Sequence, residues 1–213
     1  MRRCRVFLVF MILLLFAPMG YVQRAEAQDE RLVLAFYYAW FDWTTWSELP
    51  LVDKPLTPYL SADPVTIEEH VVQARNAGID ALVLDWYGPQ VENNQTETNL
   101  RVLLDKAAAH GTQAALTVDI PGPFINNTEE LLNALLTVRD RHAAHGAYLR
   151  VDGRPVVFFW KQDIYSVGTW VSLRQQVDPE RRMIWIAEGI HPEYLEVFDG
   201  LYLYSVAWSD TPD

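Results

Sequence analysis

Short, densely apolar segments alternate with helical patterns along the chain from about residue 32 onward. The first segment, Leu32–Trp40, has no regular polar position, which is typical of a strand covered on both faces of a parallel sheet. A loop containing prolines follows to about Ser61. Asp63-Pro64 then begins a helix that ends at Ala77-Gly78, where glycine favours helix termination. The pattern therefore predicts one strand, one long loop and one helix.

The same unit then recurs along the chain. The further predicted strands are Ala81–Trp86, Gln113–Asp119, Pro155–Trp160, Met183–Ala187 and Leu201–Val206. The predicted helices between them are Thr98–His110, a helix capped by Asn127 that runs to about His145, Val167–Val177 and a short piece near Pro192. Six strands that alternate with helices indicate a parallel α/β fold.

The loops after the strands favour a barrel over an open, doubly wound sheet. A doubly wound sheet usually has a glycine-rich first turn, and the loop after Trp40 contains no glycine. Aromatic and acidic residues follow the strands instead, at the end where barrels place their active sites. We therefore predict an α/β fold of the (β/α)8 TIM type, incomplete, with about six β/α units.

The chain has 213 residues, whereas a complete barrel takes about 250. We expect a C-terminally truncated barrel, with a natural six-unit protein or one completed by a partner chain as the alternatives.

The first 27 residues have the pattern of a secretory signal peptide. Arg2, Arg3 and Arg5 precede the apolar run Val6–Ala17, and Ala25-Glu26-Ala27 is a small-x-small cleavage site. The run is shorter than the roughly 20 residues that span a bilayer. We predict a signal peptide at 1–27, a barrel domain at 28–213 and a secreted, periplasmic or cell-surface location. An uncleaved N-terminal anchor is the alternative.

The charge of the mature part limits its partners. Removing four Arg and one Glu from 17 basic and 28 acidic residues leaves 13 and 27, a net charge of −14. This surface repels phosphate backbones and anionic lipids, so nucleic acid and membrane surfaces are poor partners, whereas a neutral glycan is compatible. The single cysteine, Cys4, lies in the signal segment, so no disulfide is expected. The sequence gives no indication of the oligomeric state.

The ends of the predicted strands combine carboxylates with aromatic rings. Glycoside hydrolysis requires two carboxyl groups, and Trp and Tyr rings stack on the apolar faces of sugars. We predict Asp119 as one catalytic carboxylate, Asp163 or Glu188 as the other, and Asp85 as an orienting group or acid. The predicted sugar-binding residues are Trp40, Trp86, Tyr87, Trp160 and Trp208. Helix capping by the acids and barrel packing by the Trp side chains are the structural alternatives.

Other catalytic classes lack their motifs. The five His residues show no His-x-x-x-His or His-Glu-x-x-His spacing, so no metal site is predicted. The chain has no Gly-x-Ser-x-Gly motif, which argues against a serine hydrolase.

Four segments resemble the glycoside hydrolase family 99-like group. They are residues 35–41 (AFYYAWF), 77–89 (AGIDALVLDWYGP), 153–160 (GRPVVFFW) and 198–204 (FDGLYLY). The group consists of barrels related to endo-α-mannosidases and endo-α-mannanases, and more distantly to family 71 α-1,3-glucanases. The resemblance implies a metal-independent, cofactor-free retaining hydrolase of internal α-mannoside linkages. It also implies that Tyr37, Tyr38, Asp85, Trp86 and Tyr87 line the substrate.

The chain departs from the family motif on the third strand. The family has His-Ile-Glu-Pro-Tyr there, with a catalytic glutamate, and this chain has Thr117-Val118-Asp119-Ile120-Pro121. Asp119 takes roughly the glutamate position with one methylene less, and no counterpart of the second catalytic glutamate is evident.

Three functional hypotheses follow. The first is an exported, endo-acting glycoside hydrolase that acts on an α-linked polysaccharide or glycan. The second is a glycan-binding barrel of the same fold without hydrolytic activity. The third is a glycosyltransferase-associated barrel, which the export signal disfavours because activated sugar donors are mostly cytoplasmic.

Overall fold

Six parallel strands form the central sheet of the protein. The computed structural model describes residues 31–51, 53–120 and 122–204. The parallel strands are β1 (Leu34–Tyr37), β2 (Ala81–Trp86), β3 (Gln113–Asp119), β5 (Arg154–Trp160), β6 (Ile184–Glu188) and β7 (Gly200–Tyr202). A two-residue strand, β4 (Arg150–Val151), pairs antiparallel with β5. The order across the sheet is β1-β2-β3-β5-β6-β7, so each new parallel strand joins beside the previous one.

Helices connect the strands. They are α1 (Trp43–Glu48), α2 (Pro64–Asn76), α3 (Gln95–His110), α4 (Thr128–Thr137) and α5 (Val167–Val177). A π-helical turn, Val138–His142, continues α4, and 3-10 turns occupy Gln162–Ile164 and Pro192–Glu196.

Local caps set the helix boundaries. Asp63 accepts a hydrogen bond from the Val65 amide at 2.9 Å, and Pro64 fills the first helical position of α2. Asn127 caps α4 in the same way, through the amides of Glu129 and Glu130. Gly111 ends α3 in the left-handed conformation (φ +65°), which glycine adopts without strain.

Two apolar layers cover the two faces of the sheet. The larger lies between the sheet and the helices and contains Leu84 and Trp86 of β2. The smaller fills the concave face and contains Ala81 and Val83 of the same strand. Successive residues of a strand point to opposite faces, so β2 contributes alternately to both layers and is buried throughout.

The sheet curls so that its first and last strands approach each other. The Phe36 ring of β1 stacks on the Tyr202 ring of β7 with 5.5 Å between ring centroids. Phe36 also contacts Phe158 of β5 at 6.2 Å between centroids. The concave face is therefore the interior of a barrel-like arc.

The predicted bounds of strands β2 and β3 and of helix α5 agree at both ends, and those of β5 and β6 agree within one residue. The last predicted strand, Leu201–Val206, begins within one residue of β7, and its residues 205–206 lie outside the described residues. The short elements α1 and β4 were not predicted. β1 is shorter than the predicted 32–40 segment, because the chain leaves the sheet after Tyr37. No helix among the described residues is long and apolar enough to cross a membrane.

Candidate active site

A cleft of about 210 Å³ opens at the carboxyl ends of the parallel strands. Five strands or the residues that follow them contribute side chains that point into the concave face. Seven of the side chains that line it are aromatic and two are carboxylates. The lining residues are Phe36, Tyr38, Trp40, Asp85, Tyr87, Thr117, Asp119, Trp160, Tyr202 and Tyr204.

Asp85 and Asp119 lie on the neighbouring strands β2 and β3 and are the two carboxylates that line the cleft. Asp85 of β2 is in register with Thr117 of β3, so Asp119 is the next inward-facing residue along β3. The two carboxyl groups are close enough for the charge of Asp119 to act on Asp85.

Burial changes the protonation of both carboxyl groups. Burial raises the pKa of Asp85 to about 7, and the nearby charge of Asp119 adds to the rise. Burial alone raises the pKa of Asp119 to about 6. One Asp119 oxygen, Oδ1, is buried and accepts no hydrogen bond within the described part of the chain. The pair is thus able to hold one proton near neutral pH.

A tight turn after β3 fixes Asp119 against Tyr87. The Gly122 amide donates to the Asp119 carbonyl at 3.1 Å. A Cβ atom on Gly122 would lie 2.8 Å from that carbonyl oxygen and 3.0 Å from Cδ1 of Tyr87. Only glycine fits this close approach, so the turn that follows Asp119 packs directly against the Tyr87 ring.

Aromatic rings form two walls around the carboxylates. Trp40 stacks on Tyr87 with 5.5 Å between centroids and 20° between planes, and Tyr38 packs on Trp40 at 4.7 Å. On the opposite side Trp160 contacts Tyr204 at 4.3 Å between centroids. The cleft therefore offers flat apolar faces beside two acids, and no Lys or Arg is among the described residues that line it.

Among the described residues, no group of three or more His, Cys, Asp or Glu side chains is arranged to hold a metal ion.

The model of glycosyl hydrolase family 99 matches residues 53–207. The chain belongs to glycosyl hydrolase family 99.

Curated family 99 relatives match part of their length. Glycoprotein endo-alpha-1,2-mannosidase of Xenopus laevis is 28% identical over 127 residues, which cover 55% of this chain and 28% of the relative. Glycoprotein endo-alpha-1,2-mannosidase-like protein of Mus musculus is 27% identical over 169 residues, which cover 70% and 37%. The chain spans about a third of the length of these relatives.

Solved structures confirm the predicted fold class. The GH99 endo-alpha-mannosidase of Bacteroides thetaiotaomicron aligns with a TM-score of 0.69 and 20% identity, covering 84% of this chain and 63% of that one. A noncanonic maltogenic alpha-amylase of Thermotoga neapolitana aligns with a TM-score of 0.53 and 14% identity, covering 81% and 49%. The described strands form part of a TIM-type barrel, as the alternation of strands and helices predicted.

Polar side chains at the start of α3 hold the strand ends of this family 99 cleft. Asn99 donates to the Ala39 carbonyl and Gln95 to the Trp40 carbonyl, each at 2.8 Å. Thr96 Oγ1 accepts from the Tyr87 amide at 3.1 Å, and Asn94 donates to the Gly88 carbonyl at 3.0 Å. Side chains of one helix therefore provide hydrogen-bond partners for the main-chain groups that follow β1 and β2. These bonds fix the positions of Trp40 and Tyr87.

A buried carboxylate lies behind β2, on the side away from the cleft. Glu97 is fully buried and accepts from Trp86 Nε1 at 2.9 Å and from Arg101 Nε at 2.9 Å. His142 Nε2 lies 3.0 Å from the same carboxylate. Burial alone would raise the pKa of Glu97, but the contacts with His142, Trp86 and Arg101 hold it below its usual range. Glu97 therefore anchors Trp86, whose chain neighbours Asp85 and Tyr87 line the cleft.

Two of the predicted sugar-binding residues point away from the cleft, toward the helices. Trp86 is fully buried against Glu97 and His142, so its assignment as a sugar platform is wrong. Tyr37 packs on the helix side, where its Oη lies 3.0 Å from His70 Nδ1, so it does not line the cleft either. Both follow from strand alternation, because Tyr38 and Tyr87 already occupy the inward positions.

The two acids predicted as partners of Asp119 do not line the cleft. Asp163 is exposed in the 3-10 turn after β5. Glu188 ends β6 on the inward-facing side, in register with Tyr202 of the cleft, and burial raises its pKa. Burial and the charges of Glu188, Asp85 and Asp119 together raise the pKa of Tyr202. Asp85 is the carboxylate that lines the cleft together with Asp119. Trp208 lies outside the described residues.

The predicted residues that do line the cleft are Tyr38, Trp40, Asp85, Tyr87, Asp119 and Trp160. Four lining residues were not predicted: Phe36, Thr117, Tyr202 and Tyr204. Strand alternation could have identified them, because each lies two residues from another inward-facing position on the same strand or its extension.

Proposed function

We propose that this chain is an exported, endo-acting glycoside hydrolase of α-linked mannosides, with Asp85 and Asp119 as its metal-independent carboxylate pair. The observation that carries the proposal is the pair formed by buried Asp85 and half-buried Asp119, both with raised pKa values, in a cleft walled by aromatic rings. The α-mannoside part rests on the names of the relatives, which are endo-alpha-mannosidases.

The two acids suit opposite roles. With a pKa of about 7, Asp85 keeps a proton near neutral pH and is suited to protonate the glycosidic oxygen as the bond breaks. Asp119 is the ionised partner, since its negative charge adds to the raised pKa of Asp85. Its carboxylate would either attack the anomeric carbon or take a proton from a water that does. A separation of about 5–5.5 Å between the carboxyl groups favours attack, and about 6.5–9.5 Å favours the water.

The aromatic walls suit a neutral sugar. The Trp40–Tyr87 stack and Trp160 present flat faces on which a pyranose ring packs, while the acids accept hydrogen bonds from its hydroxyl groups. The acidic net charge of the chain, −11, disfavours phosphorylated or other anionic ligands.

Substitution of the acids tests the proposal. Asp85→Asn and Asp119→Asn are expected to lower the release of oligosaccharides from α-mannan by about 10²–10⁴-fold, the usual contribution of acid–base groups, with unchanged binding of α-mannotriose. Asp163→Asn is the matched control, since Asp163 is exposed outside the cleft. Hydrolysis that survives in both Asn variants would contradict the assigned pair.

A glycan-binding barrel without hydrolysis is the second candidate. It is favoured by Asp119 itself, which is one methylene shorter than the glutamate of the resembling motif. In that case the wild-type chain retains α-mannan without releasing oligosaccharides, Trp40→Ala abolishes retention and Asp119→Asn leaves it unchanged.

Export is a separate part of the proposal. Residues 1–27 form the proposed signal peptide and 28–213 the mature domain. Expression of the full chain in a secreting host, followed by N-terminal sequencing, is expected to give Gln28 as the first residue. Retention of the intact N-terminus in the membrane fraction would favour the anchor.

A further inference from the structure

A second groove lies outside the barrel, between helix α2 and the loop before it. It encloses about 470 Å³. Trp43 forms one side with an indole that is 57% exposed, and exposed Glu69 and Gln73 of α2 form the other. Half-buried Tyr59 and His70 lie between them. None of these side chains lines the cleft.

The groove is held rigid by contacts beneath it. Trp46 is buried and donates from Nε1 to the Tyr59 carbonyl at 2.6 Å. The Tyr59 ring meets the His70 ring edge to face at 4.8 Å between centroids. His70 is fixed in turn by Tyr37, whose Oη lies 3.0 Å from its Nδ1. The outward-facing Tyr37 of β1 thus ties the floor of the groove to the sheet.

The chemistry of the lining suits a neutral polyol. An exposed indole next to a Tyr ring offers apolar faces, and the Glu69 carboxylate and Gln73 amide offer hydrogen-bond acceptors and donors. Asp63 and Glu69 are acidic, and no Lys or Arg is among the described residues that line the groove, so an anionic ligand is disfavoured. These are the features by which the cleft itself suits a sugar.

The groove is close enough to the cleft for one polymer to reach both. Trp40 of the cleft contacts the Phe41 ring at 5.9 Å between centroids, and Phe41 contacts Tyr59 of the groove at 6.1 Å. A single ring therefore separates an aromatic wall of the cleft from the groove. A short oligosaccharide held in the cleft would not need the groove.

We propose that the groove formed by Trp43, Tyr59, His70, Glu69 and Gln73 is an auxiliary site for a neutral α-linked polysaccharide, which holds the polymer whose neighbouring units occupy the cleft. The inference rests on the proposed function of the cleft. The site adds affinity for long chains, because a second contact on the same polymer acts at a high effective concentration.

Affinity electrophoresis of the full chain in gels containing soluble α-mannan tests the site, with calorimetric titration of α-mannotriose in parallel. Trp43→Ala and Glu69→Gln are expected to lower retention by α-mannan about threefold to tenfold, the equivalent of one aromatic or polar contact, with unchanged α-mannotriose affinity. Leu56→Ala is the matched control. Leu56 is fully exposed in the same loop and does not line the groove.

The outcomes separate the two proposals. Equal retention of the Trp43→Ala, Glu69→Gln and Leu56→Ala variants overturns the auxiliary site while the cleft stands, provided Trp40→Ala loses α-mannotriose binding. A wild-type chain that binds neither α-mannan nor α-mannotriose overturns both proposals. Loss of α-mannotriose binding in Trp43→Ala also overturns the site, because the indole would then belong to the cleft.

Discussion

At the scale of one residue, burial of Asp85 raises its pKa, which suits a catalytic acid, but lowers the stability of the fold where the carboxylate is ionised. Its pKa in the folded protein, about 7, is far above that of an exposed aspartate. A raised pKa means that the folded state holds the proton more tightly. The stabilising contribution is therefore complete below about pH 4 and is lost as the pH rises through 7.

Asp85→Asn removes the free-energy cost of burying the ionised carboxylate at high pH. The variant is therefore expected to be more stable while its hydrolysis is lost. Relative to wild type, the free energy of unfolding should rise by about 1–4 kcal/mol at pH 8, because each pKa unit corresponds to about 1.4 kcal/mol, with little difference at pH 4. Urea unfolding at the two pH values measures this. Lower stability of the variant at pH 8 would mean that the charge of Asp85 is paired in solution.

The neighbouring carboxylate gives a second prediction at this scale. The charge of Asp119 contributes to the raised pKa of Asp85, so Asp119→Asn is expected to lower the pKa of Asp85. Burial remains, so the value should stay above that of an exposed aspartate. Carboxyl carbon chemical shifts, followed as a function of pH, report it directly. An unchanged pKa of Asp85 would show that the two groups do not interact.

Residue-level predictions from the sequence succeeded or failed according to strand alternation. Acids and aromatic residues at strand ends were the right classes, but Tyr37 and Trp86 were chosen together with their chain neighbours Tyr38 and Tyr87. Adjacent residues of a strand cannot share a face. Asp85 was predicted as an orienting group or acid, but its place beside Asp119 was not, since that depends on the register between β2 and β3, which no local pattern encodes.

At the scale of elements, the turn after β3 couples backbone geometry to the cleft. Gly122→Ala would place a Cβ 2.8 Å from the Asp119 carbonyl oxygen, so the turn has to shift and carry Asp119 with it. We expect a clear loss of α-mannotriose affinity together with lower stability, by about 1–3 kcal/mol. Gly146→Ala is the control, because a Cβ there meets nothing within 4 Å.

Calorimetric titration of α-mannotriose and urea unfolding, measured for both glycine variants, compare the effects at positions 122 and 146. Equal behaviour of Gly122→Ala and Gly146→Ala would show that the turn is not what fixes Asp119.

Strands and helices were predictable from the sequence where an apolar run indicates burial or a capping residue indicates a helix end. β2 and β3 are continuous apolar runs, and Asn127 and Gly111 mark the helix ends by their side-chain and backbone chemistry. The π-helical turn Val138–His142 was not predicted, because the sequence pattern runs on as one helix from Asn127 to about His145. Short elements such as α1 likewise lack enough residues to show a period.

At the scale of the whole molecule, the curled sheet brings distant parts of the sequence into one site. Phe36 of β1 contacts Phe158, Tyr202 and Tyr204, which come from the last third of the chain. These contacts both fill the concave layer and form the floor of the cleft. The barrel class was predictable from the sequence, because each apolar run predicts a buried strand. Which strands contact each other across the interior was not predictable, because such contacts leave no local pattern.

Phe36→Ala should therefore weaken fold and site together. Phe36 is partly buried, so the loss of stability is expected at about 2–3 kcal/mol, below the usual 3–5 kcal/mol for a fully buried Phe. Because Tyr202 and Tyr204 lose their common partner, α-mannotriose affinity should fall as well. Val33→Ala is the control, since Val33 precedes the same strand and is 52% exposed. If Phe36→Ala lost stability but kept full affinity, the cleft would not depend on the contact between the first and last strands, and its walls would act independently.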